Sequence, residues 1–165
     1  MQVLIIGDAV LYSGTVAAAM EGRFLGLPAI AVSSVAREPA HYESAARAVR
    51  LILDHIMYGS LTAVLPTNTI LNVNVPDIPY HDIHGLEITQ LGHEHKVEGA
   101  VAGTDPWGRA IYWVAPVGPG YDAGPGTDFF AVHNNKISIT PVQVDLTSQS
   151  SLEPLSAWAE SVKLE

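Results

Sequence analysis

From Tyr12 to Ser33 a loop, a helix and a strand follow one another with almost no spacer, and this unit narrows the folds open to the chain more than any other stretch. Ser13 is a natural N-cap, because its short side chain can accept from a backbone N–H of the first helical turn. Val16-Ala17-Ala18-Ala19-Met20 follows with high helix propensity, and its alanines suit close packing on a sheet. The pattern predicts a helix over Tyr12 to Leu25, ended by Gly26 and Pro28, and a strand over Ala29 to Ser33. Upstream, Val3 to Ile6 is a continuous apolar run rich in β-branched residues and closed by Gly7, which reads as a buried strand. Strand, helix and strand joined by short loops point to parallel pairing and an α/β fold.

The rest of the chain extends that pattern. A second helix is expected from about His41 to Tyr58, with Ala45, Val49, Ile52, Leu53 and Ile56 at helical spacing and Gly59 as its C′ residue. Thr69 to Val75 reads as a strand with Leu71, Val73 and Val75 on one face and Asn72 and Asn74 on the other. Leu86 to Leu91 reads as another strand. From Gly92 onward the character changes. Asp105-Pro106-Trp107-Gly108 is a turn signal, and Ala110 to Val114 a strand leaving it. Together they suggest a β-arm whose Trp107, Tyr112 and Trp113 pack either on another subunit or on their own domain. A Gly- and Pro-rich loop over Gly118 to Gly126 follows. Lys136 to Thr140 is expected to be a short strand ended by Pro141, and Leu152 to Val162 a last amphipathic helix.

The chain has 165 residues, 48% of them hydrophobic and 15% charged, which fits one globular domain with a real core. Its net charge of −9 argues against nucleic-acid polymers and anionic membrane surfaces, both of which call for Lys and Arg. A single small phosphorylated ligand stays open, since a helix N-terminus binds phosphate without any lysine. With no cysteine there is no disulfide, thiol nucleophile or thiolate metal site. No apolar run has the length of a membrane span, and the first residues lack a basic n-region, so a cytoplasmic location is the default.

Tyr12-Ser13-Gly14-Thr15 is the leading candidate for chemistry. Open N–H groups at a helix start, two hydroxyls and a glycine that admits close approach suit a phosphate, with ordinary capping by Ser13 as the plainer reading. Asp8 follows Gly7 after the first apolar run, where a nucleophile or metal ligand often sits, but it stands alone and reads better as a loop carboxylate. His93 and His95 form an H-x-H pair with no third ligand evident, which fits an exposed loop better than a metal site. Glu21 reads as an ion-pair partner of Arg23 or Arg37 or as an exposed position. Asn72 and Asn74 need hydrogen-bond partners, either in a cleft or in a neighbouring loop. Thr127 or Asp128 caps a short helix, or lies in a loop threading near the site. The common phosphate-loop, dinucleotide, metalloprotease and nucleophile-elbow patterns are absent.

Asp8 to Gly22, Leu27 to Ser33 and Ile70 to Pro76 together resemble successive segments of the survival protein SurE family. Ala123 to Val132, Ile137 to Pro141 and Val144 to Thr147 resemble its C-terminal part, so the likeness runs from Gly7 nearly to the end. The resemblance implies a Rossmann-like α/β domain with a β-hairpin arm, here Gly92 to Val117, and a C-terminal extension, here about Val142 to Glu165, both used in homo-oligomerisation. It implies a phosphomonoesterase of nucleoside 5′- and 3′-monophosphates that uses a divalent metal, Mg or Mn. Ser13, Gly14 and Thr15 match positions beside the phosphate, and Tyr12, Asn72, Thr127 and Asp128 are candidates for lining the cleft. The family's metal site draws on two adjacent aspartates, a serine and an asparagine that precede the matched region. No residue here corresponds to them, and a further family asparagine aligns with Ile5. The expectation is therefore a SurE-like chain truncated at its N-terminus, with no metal ligands and no catalytic residues of its own, inactive alone. A non-catalytic oligomerisation module is the alternative.

Overall fold

The computed structural model describes residues 5–59, 65–66, 68–93, 99–114 and 122–163. Its centre is β2 (Thr69–Pro76), in which every residue is buried. Leu71, Val73 and Val75 on one face join Ala48, Ile52 and Ile56 of helix α2 (Tyr42–Tyr58). Ile70 on the other face joins Val16 and Ala19 of helix α1 (Gly14–Gly22) together with Ile5, Val10, Ala31 and Val142. A strand buried on both sides needs helices on both sides, which is the layering expected of an α/β protein. Strand β1 (Ile30–Val35) pairs with β2 in parallel, and α2 is the crossover between them. Strand β6 (Ile137–Gln143) pairs antiparallel on the other edge of β2, and β3 (Leu86–Ile88) runs parallel to β6. Among the described residues these form one mixed sheet in the order β1-β2-β6-β3.

Five expectations shift. Ile5 and Ile6 are buried but lie in no strand, while Val3 and Leu4 fall outside the described residues. The Ile5 carbonyl accepts from Asn72 Nδ2 at 3.0 Å, and Gly7 at φ 53° turns the chain into a 3-10 turn, Gly7–Tyr12. Tyr12 therefore ends that turn, and the α-helix starts after Ser13. Pro141 lies inside β6 instead of ending it. It sits opposite Leu71, whose N–H points to Ala29 just before β1, so the missing proline N–H faces the side where β3 has already stopped at Ile88. The strand expected over Leu86 to Leu91 is shorter, because Gln90 leaves the ladder to exchange backbone bonds with Gly126 and Asp128. On α2 the buried stripe is Ser44, Ala48, Ile52 and Ile56, and Leu53 is 40% exposed. Ser44 tolerates burial because its hydroxyl donates to Ile78 O at 2.7 Å.

The start of α2 is tied down from outside the helix. Asp77 accepts from Ala40 N at 2.9 Å, His41 N at 2.8 Å and Ser34 Oγ at 3.0 Å. Burial pushes its carboxyl up, but those three donors together outweigh burial and hold it below the ordinary value. Asp77→Ala is expected to lower stability by about 1–2 kcal/mol in urea unfolding at neutral pH. A depressed acid stabilises the fold above its unfolded value of 3.8 and loses that effect as pH falls through the folded one. The gap between wild type and variant should therefore close on acidification.

Strands β4 (Ala100–Thr104) and β5 (Ala110–Val114) form a separate antiparallel hairpin, and none of its residues is buried. Its turn is set by Asp105, which accepts from Trp107 N and Arg109 N at 2.9 Å and from Arg109 Nε at 2.7 Å. Helix α3 (Asp128–His133) packs near β6, and α4 (Gln149–Ser161) begins one turn earlier than Leu152 and contains Pro154. No residue of α4 is buried, and Trp158 is 64% exposed.

Candidate functional site

The 3-10 turn delivers the chain to Ser13, whose extended backbone (φ −87°, ψ 118°) makes it the N-cap of α1. Its Oγ accepts from Val16 N at 3.2 Å, and its carbonyl accepts from Ala17 N at 3.0 Å. That satisfies two first-turn donors and leaves the N–H groups of Gly14 and Thr15 open among the described residues. Gly14 and Thr15 are exposed, and nothing lies within 4 Å of where a Gly14 Cβ would sit. The approach to these donors is clear, as an anion would require. Tyr12 is exposed at the same rim. Beside Ser13 lies a cleft of about 410 Å³ whose other walls include Val10, Val16, Met20, Leu91 and Val142. Its lining is mostly apolar, so it fits a ring or hydrocarbon surface, and Ser13 and Gln143 are its polar side chains.

The remaining candidates lie inside. Thr127 is buried and caps α3, accepting from Phe130 N at 3.3 Å while donating to Gly124 O at 2.8 Å. Asp128 is 0% exposed. Its Oδ2 accepts from Gly7 N at 2.7 Å, and its Oδ1 from Gly92 N at 2.9 Å and Phe129 N at 3.0 Å. Burial raises its carboxyl above the ordinary value, and the backbone N–H groups pull the other way. Asn72 is buried against Ile5 O, as above. Asn74 is fully buried, and among the described residues neither its Oδ1 nor its Nδ2 has a hydrogen-bond partner. A buried amide without partners lowers stability, so Asn74→Leu, close in volume and apolar, is expected to leave thermal stability unchanged or raise it by about 1 kcal/mol. Asn72→Leu should instead lower it, by leaving Ile5 O unpaired.

Two residues expected to be unrelated meet. Asp8 Oδ1 lies 2.7 Å from His93 Nδ1, with the side chains 23% and 46% exposed. The Asp8 hydrogen bond and charge raise the basicity of the ring. Nothing local signals this contact between positions 85 apart. His95 lies outside the described residues, and Glu21 is exposed. A divalent cation does not fit what is here: among the described residues no three His, Asp or Glu side chains are placed to hold one. Likewise, no described helix is long and apolar enough to cross a membrane.

The family model of survival protein SurE matches residues 5–98. The protein "5'-nucleotidase SurE" of Alkalilimnicola ehrlichii is 54% identical over 157 residues, which cover 95% of this chain and 60% of that protein. Its counterpart in Stenotrophomonas maltophilia is 54% identical over 155 residues, covering 93% and 58%. The crystal structure of the SurE protein from Aquifex aeolicus superposes with a TM-score of 0.78 at 36% identity, covering 93% of this chain and 60% of that one. The mixed-sheet α/β fold is thus that of a solved SurE protein, and the chain spans about 60% of the length of the relatives it matches.

Proposed function

Because this chain belongs to the survival protein SurE family, we propose that it carries the phosphate-facing part of a nucleoside 5′/3′-monophosphate phosphomonoesterase and does not hydrolyse such substrates by itself. The relatives' name, 5'-nucleotidase SurE, supports the substrate class. The start of α1 supports the phosphate contact, through the open N–H groups of Gly14 and Thr15 and the hydroxyls of Ser13 and Thr15. The apolar cleft beside Ser13 is the surface on which the nucleoside rests. A divalent cation, Mg or Mn, would supply charge stabilisation for such a hydrolysis, and among the described residues no three His, Asp or Glu side chains are placed to hold one. The observation that carries the second half of the reading is the state of the nearby acids. Asp8 is engaged with His93, and Asp128 is buried on three backbone N–H groups.

The test is AMP with Mg or Mn and the purified chain. The expected result is binding without phosphate release, with the affinity weakened by Ser13→Ala and Thr15→Val. Turnover that Ser13→Ala abolishes would sink the inactive reading, and failure of AMP to bind would sink the phosphate-facing one.

A second reading, an oligomerisation module, is favoured by one observation. The hairpin and α4 bury nothing and expose Trp107, Tyr112, Trp113, Leu155 and Trp158. Apolar surface on this scale suits a partner, a second copy first. Light scattering that shows a stable, monodisperse monomer would count against it.

A further inference from the structure

Two glycine-led steps far apart in the chain are built alike. Gly7 precedes Asp8, and Gly92 precedes His93. Each glycine N–H lands on a different oxygen of the same carboxylate, Gly7 on Asp128 Oδ2 at 2.7 Å and Gly92 on Oδ1 at 2.9 Å. Each glycine also presses on one ring. A Cβ on Gly7 would lie 2.5 Å from Phe129 Cε2, and one on Gly92 2.6 Å from Phe129 Cδ2. Neither position admits a side chain without moving Phe129, and Gly7 at φ 53° is a backbone state that other residues rarely adopt. The residues that follow the two glycines then meet, Asp8 on His93 at 2.7 Å. The contacts close a ring: carboxylate, Gly7, Asp8, His93, Gly92, carboxylate. Its inner end is fully buried, and its outer end is the part-exposed Asp8–His93 pair.

We propose that Asp128 is a positioning residue. Through Gly7 and Gly92 it sets the Asp8–His93 hydrogen bond. Through the 3-10 turn that starts at Gly7 it also sets the angle at which Ser13-Gly14-Thr15 meets a phosphorylated ligand. A buried carboxylate with both oxygens occupied cannot rotate without breaking a bond to one loop, so it fixes both loops at once. At roughly 2 Å of rise per residue the turn places Asp8 about 10 Å from Ser13. The pair therefore acts on that entrance through the backbone and not by touching the same phosphate. This second effect rests on the proposed phosphate-facing role of α1, whereas the first does not.

The experiment is NMR on the full chain, with AMP as the probe. In the wild type the Gly7 and Gly92 amide protons should exchange with solvent through one shared opening, hence with equal protection, and the His93 ring N–H should give a resolved signal. In Asp128→Asn the amide offers one acceptor oxygen and turns its NH2 toward the other glycine N–H. The His93 ring signal should vanish and AMP affinity fall about tenfold, a loss of about 1.4 kcal/mol, while the β1 and β2 amides stay protected. Asp8→Asn should remove the ring signal and leave the Gly7 and Gly92 amides as they were. A ring signal that persists in folded Asp128→Asn overturns the clamp. So do unrelated protections of the Gly7 and Gly92 amides in the wild type, a result that needs no variant to fold. Unchanged AMP affinity beside a lost ring signal overturns the effect on presentation. A wild type that fails to bind AMP at all refutes the phosphate-facing role, while the exchange data still judge the clamp.

Discussion

Asp128→Ala is expected to lose about 3–5 kcal/mol of unfolding free energy. The reason is the number of donors stranded. Gly7 N, Gly92 N and Phe129 N all point at a carboxylate that no water reaches, and alanine leaves all three without an acceptor. Urea unfolding followed by circular dichroism measures the loss, and a change below about 1 kcal/mol would mean that the loops find other acceptors. The pH dependence has a definite sign. Burial raises the folded value of Asp128 above its unfolded 3.8, so the folded state takes up a proton across that interval. The contribution is fully present below 3.8 and diminishes as pH rises through the raised value. The advantage of wild type over the variant should therefore be widest at or below pH 3.8 and shrink as pH rises above it.

The second large effect lies in the apolar core. Ile70→Ala should cost about 2–5 kcal/mol, because Ile70 is fully buried near the start of β2 and packs with Val16, Ala19 and Val142. The rigid sheet on one side and a short helix on the other allow little collapse into the cavity. Trp158→Ala removes a larger side chain, yet should change single-chain stability by no more than about 0.5 kcal/mol, since that residue sits on a helix with nothing buried. Thermal or urea unfolding at low protein concentration separates the two. A large loss for Trp158→Ala that grows with concentration would report an associated state and not the fold.

What could be read from the sequence was local. Ser13 as an N-cap, the Gly26–Pro28 stop, the alternation of Leu71, Val73 and Val75 against Asn72 and Asn74, and the turn at Asp105 are all fixed by neighbours a few residues away. The misreadings have tertiary causes. Pro141 continues a strand only because β3 stops short of it. Leu53 looks like part of the core stripe of α2, but the sheet takes the adjacent face, through Ser44, whose burial depends on Ile78 O. Ile5 and Ile6 read as a strand, yet the Asn72 amide takes the Ile5 carbonyl. Asp8 seemed isolated because its partner, His93, is remote in sequence, and nothing next to Asp128 foretold two distant glycines on its oxygens.

The distance along the chain between Gly7 and Asp128 has a consequence for how the protein is made. Those residues are 121 positions apart, and closing a loop of that length costs about 4 kcal/mol of chain entropy before any contact is gained. At roughly 5–20 residues per second on the ribosome, Asp128 follows Gly7 by about 6–24 s. In that interval β1, α2 and β2 are already available to pair and pack, whereas the Gly7 turn has no acceptor to hold it. The turn that leads into α1 thus stays without its carboxylate acceptor until after β1, α2 and β2 have been made. A nascent chain stalled before residue 128 can form the parallel β1–β2 pair with its α2 crossover, but its Gly7 turn lacks the Asp128 acceptor.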